Sequence, residues 1–220
     1  MSSKAHHTTT RTSRRPAKLS ALLAAAFGVL TLAVGTPAAM ADTACQDRST
    51  SASFSFTGDW NQYFSAPNGS FDSNSAEWFH YGSRVVDGVG SPVNVAGGAY
   101  TRSAFLPGYS AMNSTWTCVR GNEDTVRFLI KPNGSSAGNL TLKLYVSDPT
   151  ASTGWSIKQV TFSPTSAGTP VGNGWYVTPR ISIPWTPYWD NIQWISFSFN
   201  TQNSSGWYVD DVMIDPWRSN

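Results

Sequence analysis

Residues 206–216 read G-W-Y-V-D-D-V-M-I-D-P. On a two-residue side-chain period, Trp207, Val209 and Met213 share one face, and Tyr208, Val212 and Ile214 share the other. Apolar residues on both faces predict a central strand packed between layers rather than an edge strand. Yet two adjacent carboxylates, Asp210 and Asp211, stand at its middle, and one of them must point towards an interior side. A buried carboxylate without a partner is costly, so this position requires a cation, an arginine or several N–H donors.

Upstream of this strand the chain is a series of short apolar stretches cut by Gly, Pro, Asn and Ser. Alternation is visible at 53–56, 140–146 and 156–162, and the strand-like stretches 125–130 and 192–199 read T-V-R-F-L-I and I-Q-W-I-S-F-S-F. Further strand-like stretches lie at 78–81, 84–86, 103–106, 175–178 and 180–183. Turn signals such as Lys131-Pro132-Asn133-Gly134 and Asp148-Pro149 close several of them. No segment of ten or more residues carries a 3.6-residue apolar stripe with caps. Many short strands with turns between them predict an all-β protein, a two-sheet antiparallel β-sandwich. Loops are expected at 66–72, 163–174 and 184–191.

The first 41 residues read differently. Lys4, Arg11, Arg14, Arg15 and Lys18 precede an apolar run at 19–34, and Ala39-Met40-Ala41 offers small residues for cleavage. This is the pattern of a signal peptide over 1–41, with a single domain over 42–220. The expectation is a secreted, extracellular protein with no membrane span after signal removal. Ser13-Arg14-Arg15 leaves both the general secretory and the twin-arginine route open. Five of the 15 Lys and Arg lie in the leader and none of the 13 Asp and Glu do, so the other 179 residues carry a net charge of −3. A mildly acidic chain without a basic cluster argues against nucleic acid as a partner. Cys45 and Cys118 are the only cysteines, and in an oxidising compartment they are expected to form one disulfide.

The residues after 41 include ten Trp, eight Tyr and ten Phe. Such rings fill a sandwich core or stack on sugar rings. Phe128, Trp194, Phe197, Phe199 and Trp207 lie in strand patterns and are read as core. Candidate ligand-binding residues are Trp175, Tyr176, Trp185, Tyr188, Trp189 and Asp190, where rings sit among Pro, Gly and polar neighbours. Catalytic machinery is sparse. His80 is the one histidine past the leader and has no nucleophile motif beside it. Asp59, Asp72, Glu77 and Asp190 are open as glycosidase carboxylates, but nothing singles out a pair. Calcium, which takes six to eight oxygen ligands, is a candidate cofactor at Asp210, Asp211 and Asp72, provided the first and last strands are neighbours. The alternative is an Asp bonded to Arg84, Arg102 or Arg127.

The segments Asn68-Gly69-Ser70-Phe71-Asp72, then Trp78, and Tyr208-Val209-Asp210-Asp211-Val212 resemble those of galactose-binding-like jelly rolls, found in many carbohydrate-binding modules. The order Cys45, 67–72, Cys118-Val119, Arg127-Phe128 and 210–216 is also similar to that of a group of small exported proteins of Gram-positive soil bacteria. The resemblance implies a jelly-roll sandwich, the Cys45–Cys118 disulfide, and a structural calcium at Asp72 with Asp210, or Asp211 in second place. By fold analogy alone it implies non-catalytic binding of an extracellular polysaccharide or cell-wall glycan. A structural or interaction protein of the cell surface or extracellular matrix is the alternative, and a glycan hydrolase or lyase a third. Sequence leaves the oligomeric state open.

Overall fold

A computed structural model describes residues 45, 48–73, 76–93, 95, 101–121, 123–148, 150–184, 192–202 and 205–215. Among these lie fourteen strands and one short 3₁₀ turn, Ser55–Thr57. The strands are β1 (Phe64–Ser65), β2 (Trp78–Tyr81), β3 (Arg84–Asp87), β4 (Arg102–Leu106), β5 (Ala111–Ser114), β6 (Thr117–Arg120), β7 (Thr125–Pro132), β8 (Leu140–Ser147), β9 (Trp155–Phe162), β10 (Thr169–Gly172), β11 (Trp175–Val177), β12 (Ile181–Ser182), β13 (Ile192–Thr201) and β14 (Trp207–Asp215). The protein is a two-sheet antiparallel β-sandwich of jelly-roll type. An eight-stranded sheet runs β10-β11-β7-β14-β4-β3, with β1 beside β14 and β12 beside β7. A six-stranded sheet runs β2-β5-β13-β8-β9, with β6 beside β13.

Alternation sets which face of each strand is buried. In β8, Leu140, Leu142, Leu144 and Val146 are buried on one face, while Lys143, Tyr145 and Ser147 stay partly exposed on the other. In β13, Ile195, Phe197 and Phe199 point the same way as the β8 leucines, by direct pairing of Phe197 with Leu144 and Phe199 with Leu142. Across the sandwich they meet Val126, Phe128 and Ile130 of β7 and the inward residues of β14. Phe128 packs edge-on against Phe199 at 5.0 Å and against Phe162 at 5.6 Å between ring centroids. Burying each such side chain stabilises the fold by about 1.5–3 kcal/mol.

The last strand is central, between β7 and β4, but its two-residue period is broken. Asp210 pairs with Leu129 and Met213 with Arg127, so three steps on β14 match two on β7. The extra residue forms a β-bulge at Asp210–Met213. Asp211 sits there at φ +46, a left-handed conformation that Asp tolerates better than most residues. The bulge changes the faces expected from sequence. Trp207, Val209, Val212 and Ile214 all enter the main core, and Met213 turns to the opposite side.

That opposite side is also buried, which explains the apolar residues on both faces of β14. Phe54, Tyr63, Val95, Leu129, Trp175, Val177 and Met213 form a second core on the outer face of the eight-stranded sheet. The segment 48–63 supplies Phe54 and Tyr63 to it. Residues 53–56, expected to be extended, carry the 3₁₀ turn instead. Residues 163–174, read as a loop, contain β10. The disulfide Cys45–Cys118 is present, with 5.5 Å between Cα atoms. Arg48 reinforces that attachment. It bonds Glu123 Oε2 at 2.6 Å, donates to the Cys118 carbonyl and stacks over Phe64 at 4.2 Å.

Candidate functional site

Three clusters of polar or aromatic residues stand out, and only one presents itself to solvent. The first is buried at the 3₁₀ turn. Asp59 pairs with Arg127 Nη1 at 2.7 Å and with Arg180 Nη2 at 3.2 Å, and accepts a hydrogen bond from the Tyr63 hydroxyl at 2.7 Å. Burial pushes the Asp59 carboxyl up, but Tyr63, Asn61, Arg127 and Arg180 together outweigh it and hold it below the ordinary carboxylate value. Burial, and then Asp59 itself, raise the Tyr63 hydroxyl far above its usual range. Arg127 also donates to the Thr178 carbonyl at 3.0 Å and lies over Phe54. Asp59, Tyr63 and Arg127 are buried and Arg180 reaches them from the surface, so this cluster fastens the outer layer to the sheet.

The second cluster is the acidic step of β14. Asp210 and Asp211 are 3% and 2% exposed. Asp210 Oδ2 accepts from the Ser91 backbone N–H at 2.9 Å, and its Oδ1 from the Asp211 N–H at 2.9 Å. The Ser91 hydroxyl donates to Asp211 Oδ2 at 3.2 Å. Burial, followed by the charge of Asp211 and a smaller contribution from Asp72, pushes the Asp210 carboxyl up to about 9. Asp72 thus lies close enough to act on Asp210.

The reason for that proximity is local. The turn Asn68-Gly69-Ser70-Phe71, with Asn68 and Phe71 at φ +45 and +58, is bonded directly to the bulge. Ala66 N–H donates to the Val212 carbonyl at 2.8 Å, and Val212 N–H donates to the Gly69 carbonyl at 3.0 Å. Trp78 Nε1 closes the turn by donating to the Pro67 and Asn68 carbonyls.

The donor chemistry here is hard oxygen, which a calcium ion would take: Asp210 and Asp211 adjacent on the strand, with Asp210 pushed towards its neutral form by burial and then by the Asp211 charge, and a buried Asp72 Oδ1 with no hydrogen-bond partner. Of the arginines that the alternative reading named, Arg127 is held by Asp59 and Arg84 lies over the Phe105 ring at 4.9 Å. Arg102 bridges Asp87 at 3.0 Å and reaches the Asp72 carbonyl at 3.5 Å. Among the described residues, no three Asp, Glu, His or Cys side chains are grouped as a metal-ligand set. Any remaining ligands would have to be backbone carbonyls, hydroxyls or water.

The third cluster is the outer face of the six-stranded sheet. Strand register places Phe79, Asn113, Ser198, Lys143 and Gln159 in one row across β2, β5, β13, β8 and β9. Tyr81, Ala111, Asn200, Thr141 and Thr161 form the row beside it. Towards the other end come Ser196, Tyr145 and Ile157, then Trp194, Ser147 and Trp155. Between β5 and β6 the register slips by one residue at Thr115-Trp116, opposite Ser196.

Large apolar side chains, three of them aromatic, stand at the rims. Phe79 and Tyr81 on β2 are 54% and 60% exposed, and Trp155 and Ile157 on β9 are 42% and 52% exposed. Small polar residues lie low between them, with Ser196, Ser198 and Thr141 buried by their neighbours. The result is a trough about 19 Å wide, from four interstrand spacings of about 4.8 Å. Tyr145 meets Trp155 edge-on at 6.5 Å, which fixes that rim.

Of the residues predicted to bind ligand, Trp175 is 1% exposed and packs in the second core with Tyr208 at 6.4 Å. It is a core residue, because β11 alternation aims it at the covered outer face. Tyr176 is half-buried against the main core. Trp185, Tyr188, Trp189 and Asp190 lie outside the described residues. Trp194, read as core, faces outward, since the inward positions of β13 fall to Ile195, Phe197 and Phe199.

Sequence reading missed Phe79, Tyr81, Trp155 and Ile157 as a group. The signal was present in β9. Trp155 and Ile157 share a face there with Gln159 and Thr161, an unusual place for large apolar side chains on a half-buried strand.

The catalytic candidates are engaged in other ways. Ser83 Oγ donates to the Ala111 carbonyl at 2.7 Å, so its proton is turned away from His80 Nδ1, 2.9 Å from the same oxygen. Burial lowers the His80 imidazole below its ordinary value. Glu77 accepts from the Thr115 hydroxyl at 3.0 Å. Asp59, Asp72 and Glu77 belong to three separate settings.

No family model and no curated protein matches the chain. Among solved structures, TmCBM61 in complex with beta-1,4-galactotriose is similar, with 15% identity, 68% of this chain and 95% of that chain covered, and a TM-score of 0.42. A non-crystalline cellulose specific carbohydrate-binding module, CBM28, is similar at 18% identity, with 69% and 94% covered and a TM-score of 0.42. The K1 cleaved adhesin domain of Lys-gingipain from Porphyromonas gingivalis W83 is similar at 12% identity, with 70% and 97% covered and a TM-score of 0.42. The sandwich assignment itself rests on the strand pairing given above.

Proposed function

We propose that the protein is an exported, non-catalytic glycan-binding domain that takes a polysaccharide or cell-wall glycan across the outer face of its six-stranded sheet. The observation that carries this reading is the trough, with exposed rings on both rims and hydroxyl and amide groups between them. Sugar rings present apolar C–H faces and a belt of hydroxyls. Aromatic rims supply the area for the first, and Ser, Thr, Asn and Gln supply donors and acceptors for the second. The leader-like first 41 residues support export. The ordered short motifs support kinship with the small exported proteins that the sequence resembles.

A structural calcium at Asp72, Asp210 and Asp211 belongs to the same proposal. The orphaned Asp72 oxygen and the mutual repulsion of the carboxylates support it. Bound there, calcium would neutralise charge and tie the early turn to the last strand, away from the trough.

The test is affinity electrophoresis against a panel of soluble polysaccharides, with Tyr81→Ala and Trp155→Ala beside the unaltered chain. Loss of either ring should weaken retention by about tenfold, on the order of the energy of one stacked aromatic. Retention unchanged in both variants would remove this face from the proposal.

A further inference from the structure

The distribution of charge narrows the ligand class, an inference that rests on the glycan reading of the same face. The six strands β2, β5, β6, β8, β9 and β13 contain no Asp and no Glu, but do contain Arg120, Lys143 and Lys158. The eight-stranded sheet holds Asp87, Asp210, Asp211 and Asp215. In a chain whose residues after 41 sum to −3, one sheet is wholly free of carboxylates.

The three cations are not equivalent. Lys158 pairs with the inward Leu144 and so sits on the core side of the edge strand. Arg120 pairs with Ile192 at the far end of β6. Lys143 alone among charged side chains lies on the outer face of the five strands that form the trough. Ser198 stands beside it on β13 and Gln159 on β9, with Asn113 one strand further. No described carboxylate pairs with it. Glu77, which precedes β2, accepts from Thr115 at the rim.

A lone half-buried ammonium in a trough without acids attracts one anion more strongly than it would in open water. It is a point charge without the planar fork of arginine, so it neutralises a monoanion while the flanking hydroxyl and amide groups orient it. A polymer charged on every sugar would set further anions against the negative faces of the rim rings. We propose that this face takes a sparsely charged acidic glycan, a neutral sugar backbone bearing occasional uronate groups, with Lys143 pairing the carboxylate.

Affinity electrophoresis of the whole chain tests this with four glycans: glucuronoxylan, the same polymer after carboxyl reduction, polygalacturonate and a neutral β-glucan. A single-stranded DNA oligonucleotide is the fifth probe. The unaltered chain should be retarded by glucuronoxylan at least about tenfold more strongly than by its reduced form, and the difference should fade as salt rises from about 0.05 to 0.5 M. Lys143→Gln should melt at the unaltered temperature and treat the two forms alike, while Lys143→Arg should keep the preference.

Equal retention by both forms, or a preference that survives Lys143→Gln, overturns the proposal and leaves the glycan reading standing. Stronger retention by polygalacturonate overturns the sparse-charge claim. Equal retention by the oligonucleotide, lost in Lys143→Gln, would assign the face to phosphate polyanions. Retention by none of the glycans removes both readings together.

Discussion

Val212 donates its backbone N–H to the carbonyl of Gly69 at 3.0 Å, joining the bulge of the last strand to the turn after the first. The approach is so close that a Cβ on Gly69 would lie 2.4 Å from the Val212 carbonyl oxygen. That contact is with backbone, which cannot move aside cheaply. Gly69→Ala should therefore destabilise the domain by about 1–3 kcal/mol, the usual cost of overpacking. Urea unfolding at neutral pH measures it, and a midpoint equal to that of the unaltered chain would refute the contact.

The acidic step next to that contact should make stability depend on pH and on calcium. The Asp210 carboxyl is pushed up to about 9 when folded, against 3.8 for an ordinary aspartate. The folded state therefore binds this proton more tightly, and its contribution is lost as pH climbs from about 4 through 9. Calcium should counter that loss. Melting at pH 8 should rise on adding calcium and fall with EDTA, and Asp210→Asn should abolish the response. A midpoint indifferent to both reagents in the unaltered chain would count against the cation.

The ion pair Asp59–Arg127 should behave in the opposite sense. Its side chains are 6% and 8% exposed, so removing Arg127 leaves the Asp59 charge in a dry site with only the half-exposed Arg180 as counter-charge. Arg127→Met should cost about 3–5 kcal/mol by chemical denaturation. Because the Asp59 carboxyl titrates below the ordinary aspartate value of 3.8, its stabilisation is complete above that pH and disappears as acid is added below it. Acid unfolding of Arg127→Met should therefore be less steep than that of the unaltered chain below pH 3.8.

Strand β9 pairs with β8 on one side, and no described strand pairs with its other side. Lys158 points towards the core side of that edge, a device that discourages a second chain from adding on. Lys158→Val should raise the tendency to associate without lowering the melting temperature. Light scattering over a concentration series would show it, and a monodisperse variant at high concentration would show that the edge is protected by something else.

Much of the fold was legible residue by residue. The alternation of β8, L-T-L-K-L-Y-V-S, gives its buried and open faces directly, because the side-chain period of a strand is a local property. The pairing of Cys45 with Cys118 followed from there being no other cysteine. The neighbourhood of Asp72 and Asp210 was expected from the motifs and is set by backbone bonds between Ala66, Gly69 and Val212. The faces of β14 were misread because a bulge adds one residue without any mark in the composition. Trp175 was misread because its cover comes from Phe54 and Tyr63, more than a hundred positions away in the chain.

The candidate site divides in the same way. Lys143, Trp155 and Ile157 could be placed on the polar sides of their own strands from sequence, yet nothing local joins them to Phe79 and Tyr81. That union needs the order β2-β5-β13-β8-β9, in which strands distant in sequence lie side by side.

The sequence by itself determined the strand class, from spacing within short stretches, and the disulfide partners, from there being only two cysteines. Only the tertiary structure decided which sheet face is covered by 48–63, which carries exposed rings, and where the last strand changes face. Those are outcomes of long-range pairing, whose energy is spread over contacts between residues with no proximity along the chain.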